Sequence, residues 1–186
     1  DYGAYMTREE IETEIAKWKA AARYDEGNVD LACKIARLAA AVEDWAGVID
    51  TLEPHAPTER ADVLRQLGRA RSKAGQTAEG QEDLEKATEV DPDDGAAWYF
   101  LADTYCPESG VCPSSDAQRE CSGREEAAEL YRRAYRVAPS DPRALKRYLR
   151  CQICSEGRCQ FLPLMEPALE RSLSTCRRLA RAGVRV

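Results

Sequence analysis

Cysteine is the residue with most chemistry to offer in this chain, eight copies in 186 residues. Six fall in two clusters, Cys106, Cys112 and Cys121, then Cys151, Cys154 and Cys159. An even count in clustered spacing admits three chemistries. Disulfides would staple the polar stretches that carry the clusters, in an oxidising compartment. Closing a loop of about 15 residues constrains the unfolded chain by about 3 kcal/mol, ample for a short insert. Four thiolates would instead bind zinc, and Cys151-x2-Cys154 with Cys159 has usable spacing. The same ligands would hold an iron–sulfur cluster. Against metal, no second Cys-x2-Cys pair is present, and five and eight residues separate the cysteines of the first cluster. Disulfides are the favoured reading, with no cofactor; zinc or an iron–sulfur cluster is the alternative. Cys33 and Cys176 fall on helical patterns and read as buried thiols, the usual state of a free cysteine.

No catalytic constellation accompanies them. The single histidine, His55, lies between two prolines in PHAP, and no Cys-x-x-Cys-His haem site exists. There is no glycine-rich phosphate loop, no GxSxG and no HExxH. The chain reads as a non-enzyme. A net charge of −6 speaks against a dedicated nucleic-acid binder. No apolar run reaches the 18 or so residues of a membrane span. The chain opens on Asp1, not Met, which reads as a processed or trimmed start.

The elements that position these residues are helices. Thr7 and Glu10 form a capping-box pattern ahead of a helix over 8–24, with the stripe Ile11, Ile15, Trp18, Ala22. Residues 29–54 hold two more, marked by Ala32, Ile35, Ala36, Ala39 and then Trp45, Val48, Leu52. Residues 61–92 pair Leu64, Leu67 and Gly68 against Gly80, Leu84 and Ala87, with Gly75 in the turn and Pro92 closing the unit. Two helices approach this closely only where side chains are missing. Trp98, Leu101 and Ala102 stand 34 residues after Leu64, Leu67 and Gly68. Ala127, Tyr131, Ala134 and Pro139 restore a second helix, but Pro139 lies about 13 residues late, so an insertion separates the two helices.

Trp98, Leu101, Ala102 and Tyr105 resemble the W-x2-L-G-x2-Y pattern of the tetratricopeptide repeat (TPR), a 34-residue helix–turn–helix unit. The resemblance implies an all-α right-handed superhelix, an α-solenoid of about four helix pairs plus an N-terminal helix, as one domain over 1–186. It comprises helix 8–24, a degenerate repeat 29–54, a repeat 61–92, a repeat 95–139 with a Cys-rich insertion 106–123, and a repeat 142–182 with a Cys-rich insertion 151–163. Equivalent loops of neighbouring repeats share an edge, so the two clusters are expected to be neighbours.

TPR arrays bind proteins on a concave face built from the second, fifth, ninth and twelfth places of each first helix. Those places hold Asp30, Cys33, Arg37; Asp62, Arg65, Arg69, Ser72; Ala96, Tyr99, Asp103, Cys106; and Arg143, Lys146, Arg150. Arginine recurs at the ninth place in three of the four repeats. Arg37, Arg65, Arg69, Tyr99, Arg143, Lys146 and Arg150 are therefore the expected partner-binding residues, since guanidinium forks hold carboxylates bidentately. The expected function is a protein–protein scaffold, an accessory or assembly subunit that takes an acidic or extended segment of another protein within a larger complex. The asparagines of the chaperone-docking TPR clamps are missing from these places. Two other arrangements are open: the arginines pair with Asp30, Asp62 and Asp103 inside the groove, or the Glu-rich N-terminal helix fills it. A metal-binding module on the Cys loops, or a docking subunit of a redox complex, is the alternative function. The cysteine load favours a bacterial periplasmic or extracellular setting over a cytoplasmic one.

Overall fold

The computed structural model describes residues 6–106 and 123–155. The chain divides into two compact units, Asp1–Asp91 and Pro92–Val186. The described residues are helical and contain no strand.

The first unit begins with α1, Arg8–Ala22. Its capping box forms as the sequence predicts. Glu10 N–H donates to Thr7 Oγ1 at 3.3 Å, and Thr7 N–H donates to Glu10 Oε2 at 2.6 Å. The helix stops at Ala22, two residues before the expected end. Helix α2 covers Val29–Ala41 and α3 covers Trp45–Leu52, capped by Asn28 and Asp44. Glu53–Thr58 forms a 3-10 helix through Pro54 and Pro57, and it carries His55. Helix α4 is Ala61–Lys73 and α5 is Thr77–Val90, joined through Gly75 at φ 91°. A side chain there would be strained, so glycine suits the turn.

One core joins α1 to α4. Ile11, Ile15, Ala32, Ile35, Ala36, Leu38, Ala39, Val48, Leu52, Val63, Leu67 and Ala70 form it. Helix α1 runs antiparallel to α2. Arg8 senses Glu43 and Asp44 at one end, and Lys19, Ala22 and Arg23 share a cavity with Asn28, Ala32, Ile35, Thr51 and His55 at the other. It therefore lies parallel to α3, in the place of a second helix of a pair. It meets α2 through Ala32, Ile35 and Lys34, whose ammonium sits 3.5 Å from the Trp18 ring centre. That side is not the Asp30–Cys33–Arg37 stripe, so α1 does not fill the expected groove. Helices α4 and α5 close on each other through Leu64, Gly68, Gly80, Leu84 and Ala87, all buried.

In the second unit, α6 is Gly95–Tyr105, α7 is Arg124–Val137 and α8 is Pro142–Ser155. Asp94 Oδ1 caps α6 by accepting from the N–H groups of Ala96 at 3.0 Å and Ala97 at 3.3 Å. Tyr99, Ala102, Ala127, Ala128, Tyr131, Ala134, Ala144 and Cys151 form the core of this unit. Helix α8 departs from expectation. The insertion was to begin at residue 151, but the helix continues to Ser155, because Cys151 completes the inward stripe of Ala144 and Arg147. The rest of that insertion, the remainder of the repeat expected to residue 182, Cys159 and Cys176 lie outside the described residues. So do Cys112, Cys121 and most of the 106–123 insertion.

Candidate functional site

The first-helix face of the first unit is held together by Arg60, at the N-cap of α4. Its Nη2 reaches Asp30 at 2.7 Å and Asp62 at 2.9 Å, and its Nε donates to Asp62 at 3.1 Å. Asp62 is half-buried; burial pushes its carboxyl up, but the Arg60 guanidinium outweighs this and holds it below the usual range. Beside it, Cys33 is a free, buried thiol against Asp62 and Gln66. Burial, reinforced by Asp62, pushes that thiol up to about 11. A thiol so placed is neutral at ordinary pH and a poor nucleophile. It packs; it does not react.

The expected binding residues divide. Arg37 is exposed, with Nε donating back to the Cys33 carbonyl at 3.3 Å. Arg65 is partly exposed on the same side of α4. Arg69 is partly exposed as well; its Nε is buried and its guanidinium lies over the Trp45 ring, 5.2 Å from the centre. That contact ties α4 to α3. Ser72 turns back to donate to the Gly68 carbonyl at 2.9 Å.

In the second unit Tyr99 is a correction. It is 6% exposed, its ring tilted at 59° against that of Tyr131 with 5.5 Å between centres, and covered by Arg143, whose guanidinium is 5.3 Å from its ring centre. It supports the face as a platform and does not offer its ring to a partner. Arg143 is exposed and is held by Asp141 at 2.5 Å. Lys146 and Arg150 follow on the same stripe of α8, both partly exposed.

Beneath that stripe lies a buried polar network not foreseen from the sequence. Arg147 is 7% exposed. Its Nε donates to the Tyr131 hydroxyl at 3.0 Å and its Nη2 to Asp103 Oδ1 at 3.2 Å and to the Cys106 carbonyl. The Tyr131 hydroxyl in turn donates to Asp103 at 2.5 Å. Burial, then the Asp103 charge, raises the Tyr131 phenol, so it stays a donor. Burial opposes the Arg147 charge, but Tyr131 and Asp103 outweigh it. Arg147 could have been found: it falls between Ala144 and Cys151 on the inward stripe of α8, where a cation requires a partner.

Asp30 and Asp62 are held by Arg60, and Asp103 by Arg147. Neither cation was among the residues expected on the face. Of the cysteines, Cys106 ends α6 half-buried, Cys151 is buried in the core and Cys154 lies on α8. Among the described residues no three His, Cys, Asp or Glu side chains are grouped to hold a metal ion.

Residues 61–104 match the model of the tetratricopeptide repeat family. The chain carries a tetratricopeptide repeat. The matched span begins with the Gly68–Gly80 helix pair and ends in the Trp98–Leu101–Ala102 stripe. The chain has no match among the curated proteins. Solved structures do match. The crystal structure of MamA aligns with a TM-score of 0.66 at 19% identity, over 95% of this chain and 98% of that one. A second crystal structure of MamA protein gives 0.64 at 16% identity, over 95% and 88%. The MamA RS-1 ArsTM double mutant gives 0.63 at 16%, over 88% and 86%. At these identities the likeness shows the fold: an all-α solenoid built from TPR helix pairs. Such repeats serve protein–protein interaction and are typically non-enzymatic. No helix among the described residues is long and apolar enough to cross a membrane.

Proposed function

We propose that this TPR chain is a scaffold that grips an acidic, extended segment of a partner protein on its first-helix faces, without catalysis. The carrying observation is the division of labour among cations. Arg60 and Arg147 hold Asp30, Asp62 and Asp103, while Arg37, Arg65, Lys146 and Arg143, itself paired with Asp141, stand on the same faces with part of their side chains in solvent. Surface cations at such spacing attract carboxylates over roughly a Debye length, about 8 Å at physiological salt. The test is fluorescence anisotropy with a labelled octaglutamate peptide and an octaglutamine control. The acidic probe should bind and weaken with salt. Arg37→Glu with Arg65→Glu, or Arg143→Glu with Lys146→Glu, should each weaken it while leaving helical content intact. Equal binding of the two peptides by the native chain would refute the reading.

The cysteine content supports a place in an oxidising compartment, the periplasm or outside the cell, as an accessory subunit of a larger complex. Alkylation before and after reduction, read by intact mass, checks this in protein purified without reductant. Disulfides predict new alkylation only after reduction; bound zinc or iron in stoichiometric amount would favour the metal-binding alternative.

A further inference from the structure

Asp103 sits at the ninth place of α6, where the other three repeats carry arginine. An acid there would oppose an anionic partner, yet it is not left to do so. Arg147 reaches it from the inward side of α8 with a side chain 8% exposed, and the Tyr131 hydroxyl, fully buried, donates to the same oxygen. Both donors are anchored: Tyr131 is wedged against Tyr99, and Arg147 is fixed a second time by the Cys106 carbonyl. On the neighbouring stripe of α8 stand Lys146, next to Arg147, and, one turn away on either side, Arg150 and Arg143, the latter paired with Asp141.

We propose that Arg147 is a positioning residue that sets the sign of the α6–α8 face. By binding Asp103 it cancels the one acid at a groove place of α6, so that the cations of α8 read an anionic partner segment. This rests on the function proposed above and locates the main charge contact on α8. The device is a matter of charge, not of shape: Tyr99 and Tyr131 keep the face in place whichever sign Asp103 shows.

Two variants pull in opposite directions. Asp103→Asn leaves Arg147 unopposed, and octaglutamate binding should tighten about two- to fivefold, the scale of one unit charge near a protein surface. Arg147→Met removes a cation that binds Asp103, and octaglutamate binding should weaken by a similar factor, with rescue when Asp103→Asn is added. A purely structural network would predict weakening in both single variants. Arg143→Glu with Lys146→Glu, one exposed and one partly exposed position outside the core, should reduce binding at least tenfold. Loss of octaglutamate binding by the native chain would sink the proposed function itself. Native binding combined with an Asp103→Asn variant no tighter than native, or with an inert Arg143/Lys146 pair, would overturn only the role of Arg147 and α8.

Discussion

Gly68 on α4 and Gly80 on α5 cross with no room for a methyl group on either. A Cβ on Gly68 would lie 2.7 Å from the Gly80 carbonyl oxygen, and one on Gly80 would lie 2.7 Å from that of Gly68. Both obstacles are backbone, so no side chain can rotate away.

In an exposed helix, glycine to alanine stabilises by roughly 0.5–1 kcal/mol. Here the sign should reverse. Gly68→Ala is expected to destabilise the chain by about 1–3 kcal/mol, the usual cost of overpacking. Urea unfolding followed by circular dichroism measures it. Gly27→Ala is the control: nothing lies within 4 Å of its Cβ, and it should be neutral or slightly stabilising.

Cys33 makes stability depend on alkaline pH. Its thiol is raised to about 11 in the fold, above the roughly 8.5 of an unfolded chain. The folded state thus holds the proton more tightly. The stability is present below about pH 8.5 and is lost as pH rises through 11. Cys33→Ala should flatten that part of the curve, and native Cys33 should be alkylated slowly until the protein unfolds. Urea midpoints between pH 8 and 11 decide between the outcomes.

Tyr131→Phe removes a hydroxyl that bonds both Asp103 and Arg147 while keeping the buried ring. The direct Arg147–Asp103 contact at 3.2 Å survives. The expected cost is about 1–2 kcal/mol, that of one well-placed buried hydrogen-bonding group. A thermal melt showing no change would mean that Arg147 and Asp103 satisfy each other without it.

The helix pairs were legible because their cause is local. A capping box at Thr7, a glycine in the turn at Gly75 and a 34-residue recurrence from Leu64 to Trp98 each leave a mark in the sequence. The site was legible only as a list of places. Counting positions put Tyr99 on the open face, but a side chain's direction depends on its neighbours: Tyr131 with Arg143 encloses Tyr99. Arg60 was missed because it precedes its helix and so has no place in the repeat. Arg147 was passed over because its partners lie 16 and 44 residues away. The end of α8 was misjudged for a related reason: a cysteine cluster looks like a loop until Cys151 is seen to serve as an ordinary apolar residue.

Helix α1 lies where a second helix of a pair would lie, but the side it turns to water carries Glu12, Thr13, Lys17 and Lys19 with only the small Ala16 and Ala20. A stack of repeats ends in a sticky, apolar strip unless something wets it. Ile11 and Ile15 of this helix are buried in the core that holds Ile35. Trimming the chain back to Asn28 should bare Ile35 and raise self-association, read by light scattering against the untrimmed chain.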